Sequence, residues 1–203
     1  LKHDFEENRI SVVPSVWLPE KTGRRERWLS RDELAKLIRA ARREPRTRAH
    51  LPYFILLSYY SGQRKQAVLG CTWPQVDLDS GLINWNEDGR RITNKRRSVQ
   101  KINPKAIRFL RYLRRRGTDK GFVLHIDQER IKDIKKGFAG AATRAKLKGI
   151  VPHTLCHTTI THMLQNGVPT WEVAGYVGKT EDIIRRVYGH HSTDHQENAR
   201  NSL

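Results

Sequence analysis

A few side chains in the last quarter of this chain have the types and spacing that could break and rejoin a phosphodiester. Tyr188 offers a phenol that can attack phosphorus and keep the bond energy in a covalent phosphotyrosine. An isolated phenol titrates at about pH 10, so such an attack needs nearby cations that favour the phenolate. The phosphorane that follows gathers negative charge, which calls for fixed donors around its non-bridging oxygens, and the departing oxygen needs a proton. His153, Cys156 and His157 fall at i, i+3 and i+4 and share one helix face. Lys179 follows His153 by 26 residues, Tyr188 follows Lys179 by nine, and His190 follows Tyr188 by two. Far upstream, Ser61-Gly62-Gln63-Arg64 ends one helix and presents Arg64 at the start of another.

The same residues have plainer readings. Most tyrosines are amphipathic core-edge residues. Cys156, beside Leu155 and Ile160, reads as a small buried apolar group. His153, Cys156 and His157 have zinc-ligand chemistry, but three ligands within one helical turn rarely converge on one tetrahedral ion, so no metal is expected. Lys95 adjoins Arg96 and Arg97 and has an ordinary reading as a surface cation, as Arg64 does at a helix start. Tyr176 reads as core, His191 and His195 as a polar tail, and Trp17, Trp28, Trp73, Trp85 and Trp171 as packing.

The composition narrows the partner. Among 203 residues, 39 Lys and Arg face 21 Asp and Glu, a formal net charge of +18 that favours a polyanion. No apolar run reaches membrane-spanning length, and the basic residues are spread along the chain rather than concentrated on one amphipathic segment. Both features favour nucleic acid over a membrane. Two cysteines make no disulfide framework, so a reducing compartment is expected.

These residues need elements to hold them. Residues 1–28, with Pro14, Pro19, Gly23 and a basic run, read as a linker or arm, and residues 29–203 as the main domain. Ser30-Arg-Asp-Glu33 is a capping box opening a helix to about residue 43. Residues 48–61 are apolar nearly all round and predict a buried central helix. A short helix over 64–69 follows. Turn signals then lie at 73–74 and 77–81, and strand candidates at 82–85, 91–93 and 98–102, with Lys95 at the last turn. Pro104 starts a helix over 104–116, and further helices are expected over 128–147, 153–166, 170–177 and 180–188. The expected fold is mainly α (α+β): a helical domain with a small antiparallel three-stranded sheet.

Across residues 28–195 the chain resembles the tyrosine recombinases, the phage-integrase family. Ser61-Gly62-Gln63-Arg64 looks like the family's first arginine motif, and Thr93-Asn-Lys95-Arg-Arg97 like its hairpin lysine. Val151-Pro-His153-Thr-Leu-Cys156-His157 resembles the His-x-x-Arg-His block, Gly175-Tyr-Val-Gly178-Lys179 the Leu-Gly-His motif, and Tyr188-Gly-His190 the nucleophile block. The resemblance implies that Tyr188 forms a 3′-phosphotyrosine, Arg64 grips a non-bridging oxygen, Lys95 protonates the 5′-oxygen, and His153 assists proton transfer or binds the phosphate. It implies no cofactor, and double-stranded DNA as partner. It also implies a homotetramer on that DNA, accessory DNA-bending proteins, a bacterial cytoplasmic or nucleoid setting, and integration or excision of a phage or other mobile element. The arm over 1–28 would then lead from an N-terminal DNA-binding domain into the catalytic domain.

Three positions depart from the family pattern. Cys156 stands at the second arginine, Lys179 at the third-motif histidine, and Ala67 at an acidic position. A thiol cannot make a bidentate contact to phosphate, so weakened cleavage is expected, with Arg144, Arg185 or Arg186 as substitutes for the missing charge. The alternatives are a degenerate recombinase that binds DNA without cutting it, and a type IB topoisomerase-like activity.

Overall fold

A computed structural model describes residues 27–86, 99–116, 121–192 and 200. Among these, helix α1 (Arg31–Arg42) begins at the expected capping box: Ser30 accepts from the Glu33 backbone N–H at 3.1 Å, and Glu33 accepts from that of Ser30 at 3.0 Å. Helix α2 (Leu51–Ser61) is the central element, with Leu51, Phe54, Ile55 and Leu57 wholly excluded from solvent. It packs against α1, against α4 (Pro104–Arg115) and against α6 (Thr154–Gln165), while α5 (Lys135–Arg144) covers α1. The short α3 (Lys65–Leu69) follows α2 after one turn.

Helix α6 is almost entirely buried although it carries four buried threonines. The hydroxyls of Thr154, Thr158 and Thr159 are satisfied locally or by neighbours, whereas that of Thr161 is buried without a partner among the described residues. Thr158 donates to the Thr154 carbonyl at 2.8 Å and accepts the Leu29 N–H, and Thr159 donates to the Tyr59 carbonyl at 2.6 Å. Thr159 thereby ties α6 to α2.

The sheet is antiparallel, in the order β1 (Val76–Asp77), β2 (Leu82–Asn84), β3 (Val99–Lys101). Its register pairs Ile83 with Val76 and with Gln100. The β1–β2 turn is built as expected: the Asp77 carboxylate takes the Asp79 and Ser80 N–H groups, and Gly81 adopts φ +71°. The strand candidate at 91–93 lies outside the described residues, as does Lys95. Val76–Asp77 supplies the third strand, although Asp77 was expected at the start of a turn.

One expected helix is shorter than its pattern suggested. Residues 128–134 are not helical: β4 (His125–Ile126) and β5 (Glu129–Arg130) form a hairpin whose turn residues Asp127 and Gln128 both have positive φ. Helix α5 starts only at Lys135, after the Asp133 carboxylate accepts the Ile134 N–H at 2.8 Å. A second correction concerns Trp171, read as packing but 65% exposed at the start of α7 (Thr170–Val177). Helix α8 (Glu181–Tyr188) follows, capped by the Thr180 hydroxyl, and leads into a 3-10 turn over Gly189–His191.

Candidate active site

Two helix ends carry the cations. Helix α2 ends at Gly62, whose φ of +63° reverses the chain and whose N–H caps the Ser58 carbonyl. A Cβ there would lie 2.7 Å from Val177 Cγ1, so only glycine lets this turn press against α7. Arg64 follows in extended conformation as the N-cap of α3. Helix α7 ends in the same way at Gly178, φ +66°, and Lys179 follows with its N–H on the Ala174 carbonyl at 3.0 Å.

Gln100 binds these two ends together. Its amide nitrogen donates to the Ser61 carbonyl at 2.7 Å and to the Tyr176 carbonyl, while its oxygen accepts the Trp85 indole N–H at 2.6 Å. All of its strong hydrogen-bonding positions are used inside the protein, where it is 2% exposed. One side chain of the sheet therefore sets the spacing between the turn that carries Arg64 and the turn that carries Lys179. Tyr176 adds a further tie, donating to the Tyr60 carbonyl at 2.7 Å; burial pushes its phenol up to about 12, consistent with its reading as core.

His153 stands at the N-cap of α6, and its ring meets that of His157 edge to face at 4.7 Å. The ring reaches the surface, yet the surrounding protein, with the charges of Lys179 and Arg64, holds it below the ordinary histidine range. The same two cations act on Cys156. Burial pushes its thiol up, and Lys179 and Arg64 pull it down. Arg64, His153, Cys156 and Lys179 thus lie within one electrostatic neighbourhood. Cys156 itself is 2% exposed and packs in an apolar cluster with Ile160, Val173, Val177 and Tyr188.

Tyr188, at the last turn of α8, is 5% exposed, and its hydroxyl lies 2.8 Å from His157 Nδ1. Burial holds the phenol well above its ordinary pKa, and Cys156 pushes it further the same way. Burial, then His153 and Lys179, lower His157 to about 4, so at neutral pH its ring is uncharged and, with its proton on Nε2, Nδ1 accepts the phenolic hydrogen bond. His157 is the site residue the sequence reading passed over as a candidate. Its signal was present in the i, i+4 spacing from His153, which places both rings on one face of α6.

The three arginines expected to replace the missing charge are engaged elsewhere. Arg185 pairs with Glu181 at 2.9 Å, Arg186 with Asp182 at 3.9 Å, and Arg144 with Glu44 at 3.5 Å on the α1 side. Among the described residues no group of three or more His, Cys, Asp or Glu side chains gathers to hold a metal ion. No described helix is long and apolar enough to cross a membrane.

A buried tyrosine paired with a histidine that feels a lysine, with that lysine and an arginine acting together on the neighbouring His153 and Cys156, is an arrangement suited to nucleophilic attack on a phosphodiester. The phage integrase family profile matches residues 27–195, and the chain belongs to that family. Among curated proteins, the tyrosine recombinase XerA of Thermococcus kodakarensis is 27% identical over 177 residues, which are 84% of this chain and 60% of that protein. This chain therefore spans less than two thirds of that relative. The fold resembles that of a XerA recombinase crystal structure, with a TM-score of 0.63 at 22% identity, covering 98% of this chain and 70% of the other. It also resembles the Tn1549 transposon integrase in complex with circular intermediate DNA, with a TM-score of 0.71 at 13% identity over 91% and 68%. A third likeness is to XerH bound to a palindromic difH substrate in a post-cleavage complex, at 0.69 and 18% identity over 96% and 60%.

Proposed function

We propose that this chain is the catalytic part of a site-specific tyrosine recombinase, which cuts and rejoins duplex DNA of a phage or other mobile element. The pairing of Tyr188 with His157, on which Lys179 also acts, carries this reading, and Arg64 and Lys179 share the neighbouring His153 and Cys156. Tyr188 attacks the scissile phosphate, and His157 accepts the phenolic proton. Arg64 and Lys179 hold the non-bridging oxygens, with His153 beside them. Lys95 protonates the departing 5′-oxygen. The new P–O bond to tyrosine replaces the one that breaks, so religation needs no external energy source. Because Tyr188 is buried, α8 must shift to bring the phenol to DNA. The net charge of +18 supplies attraction to the backbone, and the DNA-bound relatives support duplex DNA as the partner. Assembly as a homotetramer on DNA, an N-terminal DNA-binding domain ahead of residue 29 and a bacterial cytoplasmic setting belong to the same proposal.

The test is a library of duplexes nicked beside a randomised core, which traps the covalent intermediate because the cut fragment diffuses away. An adduct that disappears in Tyr188→Phe is expected. An adduct that persists in that variant would refute the assignment. Cys156 favours a second reading: with a buried thiol at the second arginine position, the chain binds duplex without cutting it. Salt-sensitive duplex binding with no adduct from any library member selects that reading.

A further inference from the structure

The opposite end of α2 from Arg64 opens into a cavity of about 650 Å³, bounded by the end of α1, the start of α2, the end of α4 and residues 123–125. With 11 residues, α2 is about 16 Å long, so this cavity is separate from the candidate active site. Its lining includes Arg42, Arg48, His50, Tyr53, Arg116 and His125.

Several independent features mark this cavity as built for an anion. The ion pairs seen among the described residues engage Arg27, Lys65, Arg144, Arg185 and Arg186, and none involves Arg42, Arg48 or Arg116. Arg42 and Arg116 stand at helix C-terminal ends, where the backbone dipole favours a cation, and Arg116 also donates to the Tyr112 hydroxyl at 2.7 Å. Arg48 has no such account. It precedes the N-terminal end of α2, where the dipole disfavours its charge. That helix end also lacks an acidic residue in its first turn and a side-chain cap. His50, its N-cap, is 7% exposed, lines the cavity, and its ring has no hydrogen-bond partner among the described residues. The helix end itself has few donors to offer, since the Leu51 N–H is on the Thr47 carbonyl at 2.8 Å, Pro52 has no N–H, and the Phe54 N–H is on the His50 carbonyl at 2.9 Å. An anion would supply what Arg48 and His50 lack. The apolar part of the wall, from Pro52, Tyr53 and Leu113, leaves room for a planar ring beside the anion. The volume is that of a small-ligand site rather than of a flat backbone contact.

We propose that this cavity is a second binding site, for a phosphate ester of nucleotide size. The phosphate is held by Arg42, Arg48 and the His50 ring, with the base against Tyr53. The ligand is either a free nucleotide or the 5′-phosphorylated end of a single strand. This proposal stands apart from the recombinase reading, since it uses none of that reading's residues.

The test is calorimetric titration of the whole chain at fixed ionic strength. The probes are AMP, inorganic phosphate, and one short single strand with and without a 5′-phosphate. Variants are Arg42→Gln/Arg48→Gln and, as a control for phosphate bound at the other end of α2, Arg64→Gln. Circular dichroism confirms that each is folded. Saturable binding of AMP, weakened about tenfold or more in the double variant and within about twofold of the parent in Arg64→Gln, is the expected result. AMP binding tighter than that of the phosphorylated strand assigns the free nucleotide. A 5′-phosphate increment in strand binding that vanishes in the double variant assigns the strand end. The proposal is overturned if AMP does not saturate, if the double variant binds as the parent does, or if Arg64→Gln loses as much as the double variant.

Discussion

Arg64 leaves a helix end embedded in the main core, where α2 is packed on three sides, whereas Tyr188 rides on α8 and is buried in a smaller apolar cluster of its own. That cluster joins α6, α7 and α8 through Ile160, Leu164, Val173, Val177 and Ile184. Lys179 stands between the two regions, and Gln100 carries the tie across by holding both the Ser61 and the Tyr176 carbonyls. The difference teaches how one fold could hold a phosphate rigidly and still move a nucleophile, as proposed. The cations proposed to bind phosphate follow helix ends locked by sheet and core, while the element bearing the tyrosine packs in the smaller cluster and can open locally at a cost below global unfolding.

The largest expected effect is on chemistry. Arg64→Gln lowers the rate of single-turnover cleavage by about 10²–10³ while leaving the melting temperature nearly unchanged. A variant that cleaves like its parent removes Arg64 from the site. Next comes a packing change in the small cluster. Ile184 is fully buried, and Ile184→Ala costs about 3 kcal/mol. Hydrogen exchange should show that cost mainly in α7 and α8, with α2 and α4 still protected. Loss of protection throughout the core would mean the two regions are one cooperative unit.

Gln100→Leu comes third, at about 2 kcal/mol, because it removes the hydrogen bonds to two carbonyls and to the Trp85 indole N–H. It should also lower cleavage more than DNA affinity, since it changes the relation between Arg64 and Lys179 and removes no charge. Affinity and cleavage falling in step would make Gln100 merely structural. The smallest effect is on acid stability. The His157 pKa is depressed in the fold, so the neutral ring contributes stability above its ordinary value of about 6.5. That contribution is lost as pH falls towards about 4, because the unfolded chain takes up the proton first. Melting temperatures between pH 7.5 and 4.5 should fall less in His157→Gln than in the parent. Equal slopes would contradict the neutral Tyr188–His157 pair.

Much of this was legible in the sequence, for identifiable reasons. The capping box, the all-round apolar pattern of α2 and the two Gly-then-cation turns are local signals, and the structure follows them. The hairpin at 125–130 was not legible, because it rests on positive φ at Asp127 and Gln128, residues that neither demand nor forbid that conformation. Gln100 could not be read either. A glutamine in a strand looks like a surface residue until the sheet is docked on the ends of two helices. The burial of Tyr188 against His157 likewise depends on how α8 packs on α6, which spacing does not encode. The surface pairing of the candidate compensating arginines was legible in the spacing: Arg185 and Arg186 each have an acid four residues earlier on the same helix face.

The most direct test of the central claim is to find which residue becomes covalently attached to DNA. After trapping on the nicked duplex, digestion with nuclease and trypsin leaves a nucleotide remnant on one peptide, which mass spectrometry can assign. The pairing of Tyr188 with His157, whose ring lies in the field of His153 and Lys179, predicts the remnant on the peptide that contains Tyr188. A remnant on the peptide that contains Tyr176, or on a histidine or cysteine of α6, would contradict it.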